Sequence, residues 1–420
     1  MTLLIKNGKV FLKNVFVKTN ILIEDSNIKE IGPINNADEI IDASGKYVVP
    51  GLIDMHVHFR DFGQEYKEDW VSASKAAASS GITTVFDMPN NKIPITTKRL
   101  LDEKAKIVSA KSLINFRLYI SMNKFNVDEI NENKLKFVKL YYGETTGNNK
   151  VDDAEDIFKR VSKEIAIVVH AEDNNVMDEN KRKYSINDKK YHSLVRDNKA
   201  EYKAVMDLIG LAEKYGNRLH ITHISCKESA ELIKKAKKRG VKVTGDTCPH
   251  YLFLDDSLYD KIGNKAKVNP ALKSKNDKEA LWKFLNDGTI DCICSDHAPH
   301  TLEEKNRSYN ECPSGFPGAE TTIPLMLTAV NEDKIKFENF LEKMTTAPAK
   351  IFNLINKGEL KQGFDADITI IDLEKENIIE GNKLFTKAKW SPFSGMKTKG
   401  KAVVTIVNGR VVYGGKKRRR

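Results

Sequence analysis

Four histidines, an aspartate and a lysine in the middle of the chain have the types and settings from which a metal centre can be built. Asp54-Met55-His56-Val57-His58 closes an apolar run, and His56 and His58 share one face if that run is a strand. Two imidazoles on one face at a strand end can bind one metal ion. His170 ends a second run, Val168-Val169-His170-Ala171-Glu172, and a third ends in His220-Ile221-Thr222-His223. Alternation turns His220 and His223 to opposite sides. His223, nearer the strand end, is the better ligand, and His220 is expected to pack or hydrogen-bond. A fourth run ends in Ser295-Asp296-His297-Ala298-Pro299-His300, where Asp296 has the parity of Cys292 and Cys294 and faces the same side just above them. Those two cysteines read as small core residues rather than ligands.

Lys139 lies inside the apolar run Phe137-Val138-Lys139-Leu140-Tyr141, where a charged ammonium is costly to bury. A carboxylate could pair with it, or the side chain could snorkel to the strand end. The third reading is a neutral amine that captures carbon dioxide as a carbamate, an anion whose two oxygens can bridge two metal ions. Each residue also has a plainer reading alone. A buried histidine is usually a hydrogen-bonded core residue, and an aspartate after a strand usually caps a turn. Those readings would have to hold together on several strands at once, so the set is expected to form one metal site.

The elements that must position these residues follow a regular alternation. Apolar, β-branched runs occur at 52–58, 82–87, 116–121, 137–141, 165–170, 219–223, 241–246 and 290–295. Helical patterns separate most of them, at 69–80, 97–110, 152–163, 199–215, 226–239 and 277–286. Eight strands alternating with helices read as a (β/α)₈ TIM-type barrel, which carries its chemistry at the C-terminal ends of its strands. The polar residues singled out above fall at such ends. Residues 1–50 and the last part of the chain are instead rich in short strands and turns, with Asn408-Gly409 a strong hairpin signal. The expected organisation is a small β-sandwich domain built from both termini, 1–50 and 351–420, around a barrel at 51–350. The polar stretch 173–198 reads as a mobile loop after the fifth strand.

Composition narrows the class. The chain has 420 residues, enough for a large barrel and a smaller attached domain. No apolar run is long enough to span a bilayer, and Lys6 and Lys9 interrupt the only apolar stretch near the N-terminus. A cytoplasmic enzyme is expected, with no membrane partner. Five cysteines and no CxxC pair argue against a disulfide framework or a zinc ribbon. The net charge of +11 owes part of its value to the basic run 416–420. Such a run reads as a solvated tail, and nucleic-acid binding is not expected from it.

The residues then match a known family. Val49-Pro50-Gly51-Leu52-Ile53-Asp54-Met55-His56-Val57-His58-Phe59-Arg60 resembles the entry motif of the amidohydrolase superfamily, dihydroorotase branch. Further matches follow in order: Asp87-Met88-Pro89-Asn90, Lys139-Leu140-Tyr141 with Glu144-Thr145, Val169-His170-Ala171-Glu172, Thr222-His223-Ile224-Ser225 and Cys248-Pro249-His250-Tyr251-Leu252. Val268-Asn269-Pro270-Ala271-Leu272, Ser295-Asp296-His297-Ala298-Pro299-His300-Thr301 and Gly315-Phe316-Pro317-Gly318-Ala319-Glu320-Thr321 complete the series. The resemblance covers essentially the whole chain. It implies two Zn²⁺ per subunit, one on His56, His58 and Asp296, the other on His170 and His223, bridged by carboxylated Lys139. Some members bridge with a loop aspartate instead, for which Asp152 and Asp153 are the nearby residues. It further implies that Arg60, Asn90 and His300 clamp a substrate carboxylate, and that Asn269 and the backbone at Ser314 and Gly315 contact ring amides. The implied reaction is reversible cyclisation of N-carbamoyl-L-aspartate to dihydroorotate in pyrimidine synthesis, with Asp296 carrying the proton. Hydantoinase or allantoinase activity is the nearest rival. A non-catalytic partner of aspartate transcarbamoylase is another, and the implied assemblies are a homodimer or an association with that enzyme.

Overall fold

The computed structural model describes residues 1–144, 150–151 and 153–414, and the backbone of 418–419. The chain opens with strands β1 (Thr2–Leu12), β2 (Val15–Glu24), β3 (Asn27–Gly32), β4 (Glu39–Asp42) and β5 (Tyr47–Pro50). The barrel strands follow: β6 (Leu52–Val57), β7 (Ile82–Asp87), β8 (Asn115–Leu118), β9 (Ile120–Ser121), β10 (Phe137–Tyr142), β11 (Lys150–Val151), β12 (Ala166–Ala171), β13 (Arg218–Ile221), β14 (Val243–Thr247) and β15 (Cys292–Ile293). The chain closes with β16 (Ile368–Ile378), β17 (Lys397–Val407), β18 (Arg410–Gly414) and the short β19 (Arg418–Arg419).

Parallel pairing runs β6-β7-β8 and β9-β10-β12-β13-β14-β15. Tyr119 alone separates β8 from β9, so the two act as one position of the ring. A parallel bridge from Val57 to His297 returns the ring to β6. Eight positions therefore close a (β/α)₈ barrel. Strands such as β6 and β12 are buried at every residue, as expected of strands covered on both faces. β15 is shorter than the expected run 290–295, and beyond it the chain turns aside at Asp296, whose φ is +43°.

The chain ends form the β-sandwich. β16, β17 and β18 join β5, β1, β2 and β3 in one antiparallel-rich sheet. β1 pairs with β4 through its first half and β5 through its second, with a register break between Ile5 and Gly8 that bends it around its own core of Ile5, Val10, Ile21, Ile23, Ile368 and Ile406. Asn408 and Gly409, both at positive φ, make the β17–β18 hairpin. The sheet is fastened to the barrel where Thr369 Oγ1 donates to Gly81 O (2.6 Å) and Thr405 Oγ1 to Ala78 O (2.6 Å). Gly81 has φ +92°, and a Cβ there would stand 2.5 Å from Thr369 Cγ2, so this contact requires glycine. The basic run 416–420 lies outside the described residues except for the backbone of Arg418–Arg419, which pairs with Ile40 and Glu39.

Two helical expectations are corrected. The helix expected over 152–163 spans only Glu155–Arg160, started by Asp153 Oδ1 accepting the amide of Glu155. Residues 173–198 are not a loop. Asp173 caps a helix over Asn174–Lys183, a second helix covers Tyr191–Val195, and Val176, Met177, Val195 and Ala200 form a small core between them. The stretch reads as polar because only that narrow stripe faces inward. Among the described residues no helix is long and apolar enough to cross a membrane. All five cysteines are buried free thiols.

Candidate active site

One cavity opens at the C-terminal rim of the barrel. Its lining brings together His56, His58, Lys139, His170, His223 and Asp296 with Arg60, Asn90, Asn269, Ser314 and Gly315. β6 delivers the first two imidazoles. Their Nε2 atoms lie 3.4 Å (His56) and 3.3 Å (His58) from Asp296 Oδ1, and the three donors fall within 4.8 Å of one another. His58 Nδ1 is 2.8 Å from Asn90 Oδ1. Because that oxygen only accepts, the His58 proton sits on Nδ1 and the Nε2 lone pair points at Asp296. Asn90 therefore orients His58 as well as lining the cavity.

β12 and β13 supply the opposite side. His170 Nδ1 and His223 Nε2 face each other at 3.1 Å. The other nitrogen of His170 lies 3.0 Å from Glu172 Oε2, and Arg196 closes on the same oxygen. Burial would raise the Glu172 carboxyl, but Arg196 and His170 hold it down, to about 2. It is thus a fixed anion that orients the His170 ring. His223 lies beyond the end of β13 at φ +44°, and its amide donates to Asp246 Oδ1 (2.6 Å). Asp246 Oδ2 takes His220 Nε2 at 2.8 Å. Simple alternation does not set the direction of His223 or Asp296. Each follows from a left-handed residue just past its strand, a conformation costing about 1–3 kcal/mol.

Lys139 is fully buried on β10 and forms no ion pair within 4 Å among the described residues. Its Nζ donates to Thr222 Oγ1 at 2.9 Å. Burial pulls the amine down to about 8, with Asp246 and Asp296 opposing, which brings its neutral form closer to neutral pH. Burial likewise pushes Asp296 up to about 7 against the pull of Lys139 and His170. Burial, reinforced by neighbouring cations, keeps His56, His58 and His223 well below their ordinary value.

The donor chemistry fits metal ions. These imidazoles are neutral bases whose facing nitrogens converge on shared space: Nε2 of His56 and His58 on Asp296, and Nδ1 of His170 on Nε2 of His223. A divalent cation would satisfy facing acceptors that otherwise confront each other without a proton to share. Asp153 is exposed and committed to its helix, so it takes no part in this cluster, and Asp152 and Thr145 lie outside the described residues.

Arg60, buried at φ +66°, forms the other wall. Its Nε donates to Pro299 O (3.3 Å), and its Nη2 lies 3.2 Å from His300 Nε2. Behind His300 stand Lys67 (3.2 Å from Nδ1) and Glu304, which pairs with Lys67 at 2.8 Å. Asn269 Oδ1 is buried without a partner among the described residues. The amide of Gly315 is already committed to Lys267 O (3.0 Å), and Ser314 O lies 3.1 Å from His300 Nε2, so this loop offers less free backbone than expected. Gly315 has φ +143°, and a Cβ would meet Ala298 O at 2.5 Å.

Sequence reasoning passed over several residues. Glu172 shares the parity of His170, and Tyr141 that of Lys139, so alternation alone could have flagged both. Arg196 and Lys305 come from helices and loops and carry no such signal. Lys305 Nζ donates to the carbonyls of Lys267 (2.9 Å), Pro313 (2.9 Å) and Gly315 (3.3 Å), fastening the loop at the cavity mouth.

A family model described as the amidohydrolase family matches residues 47–412. Among curated relatives, a dihydroorotase of Methanosphaera stadtmanae is 35% identical over 421 residues, covering 98% of this chain and 96% of that protein. A dihydroorotase of Geobacter metallireducens is 38% identical over 431 residues, covering 98% of this chain and 100% of that protein. Among solved structures, the L-hydantoinase (dihydropyrimidinase) of Arthrobacter aurescens superposes with a TM-score of 0.93 at 29% identity, covering 98% of this chain and 96% of that one. The dihydropyrimidinase of Brevibacillus agri NCHU1002 gives 0.91 at 26% identity, covering 99% and 95%.

Proposed function

The chain belongs to the amidohydrolase family, and we propose that within it the chain acts as a dihydroorotase, interconverting dihydroorotate and N-carbamoyl-L-aspartate. It is a hydrolase of cyclic amides that depends on metal and takes a small-molecule substrate. His56, His58 and Asp296 would hold one Zn²⁺, and His170 and His223 a second, with carboxylated Lys139 between them. Bound metal would supply Lewis-acid polarisation of the scissile carbonyl and a nucleophile at neutral pH.

The chain's own groups account for the remaining steps. Arg60 receives the substrate carboxylate, its guanidinium fork matching the two oxygens, while His300, outside the cavity lining, stands behind it with Nε2 3.2 Å from Arg60 Nη2 and positions that fork. Asn269 orients the ring through its amide. In hydrolysis Asp296 accepts a proton from the attacking water and passes it to the ring nitrogen as the C–N bond breaks. Ring closure runs in reverse and starts from protonated Asp296: it gives its proton to the carboxylate oxygen that will leave, takes the ureido N–H proton as the C–N bond forms, and passes that second proton to the same oxygen, which departs as water. Glu172 keeps His170 in one tautomer throughout.

The observation that carries this reading over hydantoinase is Arg60, a buried guanidinium with no carboxylate of the described residues within 4 Å, lining the same cavity as the histidines. An unmatched buried cation costs free energy that an anionic substrate recovers. The curated relatives quoted support the same choice at 35% and 38% identity, against 29% and 26% for the quoted structures. A non-catalytic role is disfavoured because every donor type of the cluster is present. Assaying dihydroorotate, hydantoin and allantoin side by side tests the reading. Dihydroorotate should be turned over at least about 100-fold faster, since a site built for a charged group rejects analogues lacking it by large factors. Faster hydantoin turnover would overturn the assignment.

A further inference from the structure

Tyr141 follows Lys139 by two residues on β10, so both side chains face the barrel axis, with Tyr141 one layer nearer the rim. The side chain is 3% exposed and lines the cavity beside Arg60, Asn90 and Asp296. Its phenolic oxygen is buried and has no hydrogen-bond partner among the described residues. Buried Tyr119 and Tyr251 spend this group on the backbone, donating to Met55 O (3.3 Å) and Pro270 O (2.6 Å); the hydroxyl of buried Tyr259 also lacks a partner among the described residues, but Tyr259 does not line this cavity. A buried hydroxyl without a partner lowers stability, and its persistence at a cavity wall points to a partner that arrives with the ligand. A protonated phenol beside a guanidinium is suited to an anionic acceptor.

We propose that Tyr141 is a specificity-determining residue whose phenol O–H donates to the substrate carboxylate alongside Arg60. This rests on the dihydroorotase reading given above. The contact adds a directed donor to the diffuse charge of the guanidinium. It gives the site a second means of favouring carboxylated rings over uncharged ones.

Tyr141→Phe tests it, because the substitution removes one oxygen and leaves the ring in place. The expected result is a rise of roughly tenfold or more in KM for dihydroorotate, the scale of a lost hydrogen bond to a charged group, with kcat within about twofold. Binding of orotate should weaken by a similar factor and binding of uracil should not. Thermal stability without ligand should be unchanged or higher, whereas a purely structural hydroxyl would lower it. Unchanged KM and orotate affinity would overturn the proposal. So would a fall in kcat at constant KM, which would place the hydroxyl at the reacting carbonyl. A wild-type protein without dihydroorotate turnover would instead sink the underlying functional reading.

Discussion

Lys139 and Asp296 bring opposite formal charges into one dry space, and burial pushes each toward its neutral form, to about 8 and about 7. Such opposed shifts mark groups whose protonation the surroundings control. A carboxylate in that position can both bind a cation and exchange a proton with substrate. Asp296→Asn keeps the shape and one oxygen ligand but removes the base. Turnover of dihydroorotate should fall by about 10²–10⁴-fold, while bound metal measured on the same sample stays close to that of wild type. A variant with near wild-type turnover would refute the role given to Asp296. At this scale the sequence was legible wherever a residue type is rare in its setting, as a lysine within an apolar strand is. Asn90 and the Gly315 amide were less legible, because a side chain's second hydrogen bond and a loop's internal pairing leave no pattern in the order of residues.

Elements place those residues, and their ends matter more than their middles. The period-2 pattern locates β6, β10 and β12 closely, but it stops at Ile221 and Ile293, and the turns that aim His223 and Asp296 depend on tertiary partners such as Asp246. The helices over 174–183 and 191–195 were hidden in a polar stretch because they bury only a narrow stripe. The loop at the cavity mouth depends on Lys305, a buried cation cradled by three carbonyl oxygens, and burial pulls its ammonium down to about 7. An unfolded lysine keeps its proton until roughly pH 10.4. Between these values the unfolded chain binds the extra proton, so stability linked to Lys305 rises with pH. It is fully present above the unfolded value and is lost as pH falls through about 7. Melting temperatures of wild type and Lys305→Met, compared from pH 6 to 10, should therefore diverge in favour of wild type as pH rises. Parallel curves would contradict this assignment.

At the level of the whole molecule, the site exists only because the ring closes. His56 and His58 come from β6, Lys139 from β10, His170 from β12, and His223 and Asp296 from the turns after β13 and β15. Residues 240 positions apart in the chain, His56 and Asp296, meet at 3.4 Å. Regular strand–helix alternation made the barrel legible, and paired turn signals at both ends made the sandwich legible. The bend of β1 and the fastening of Thr369 to Gly81 were not, since both depend on contacts between distant segments. The central claim is that this closed rim holds metal ions on which turnover depends. Its most direct test is to strip the protein of metal and add back Zn²⁺ in bicarbonate buffer, following bound zinc and dihydroorotate turnover together. Turnover should be absent at first and rise in proportion to bound zinc until two equivalents per chain are reached. Full turnover in the metal-free protein would contradict the account.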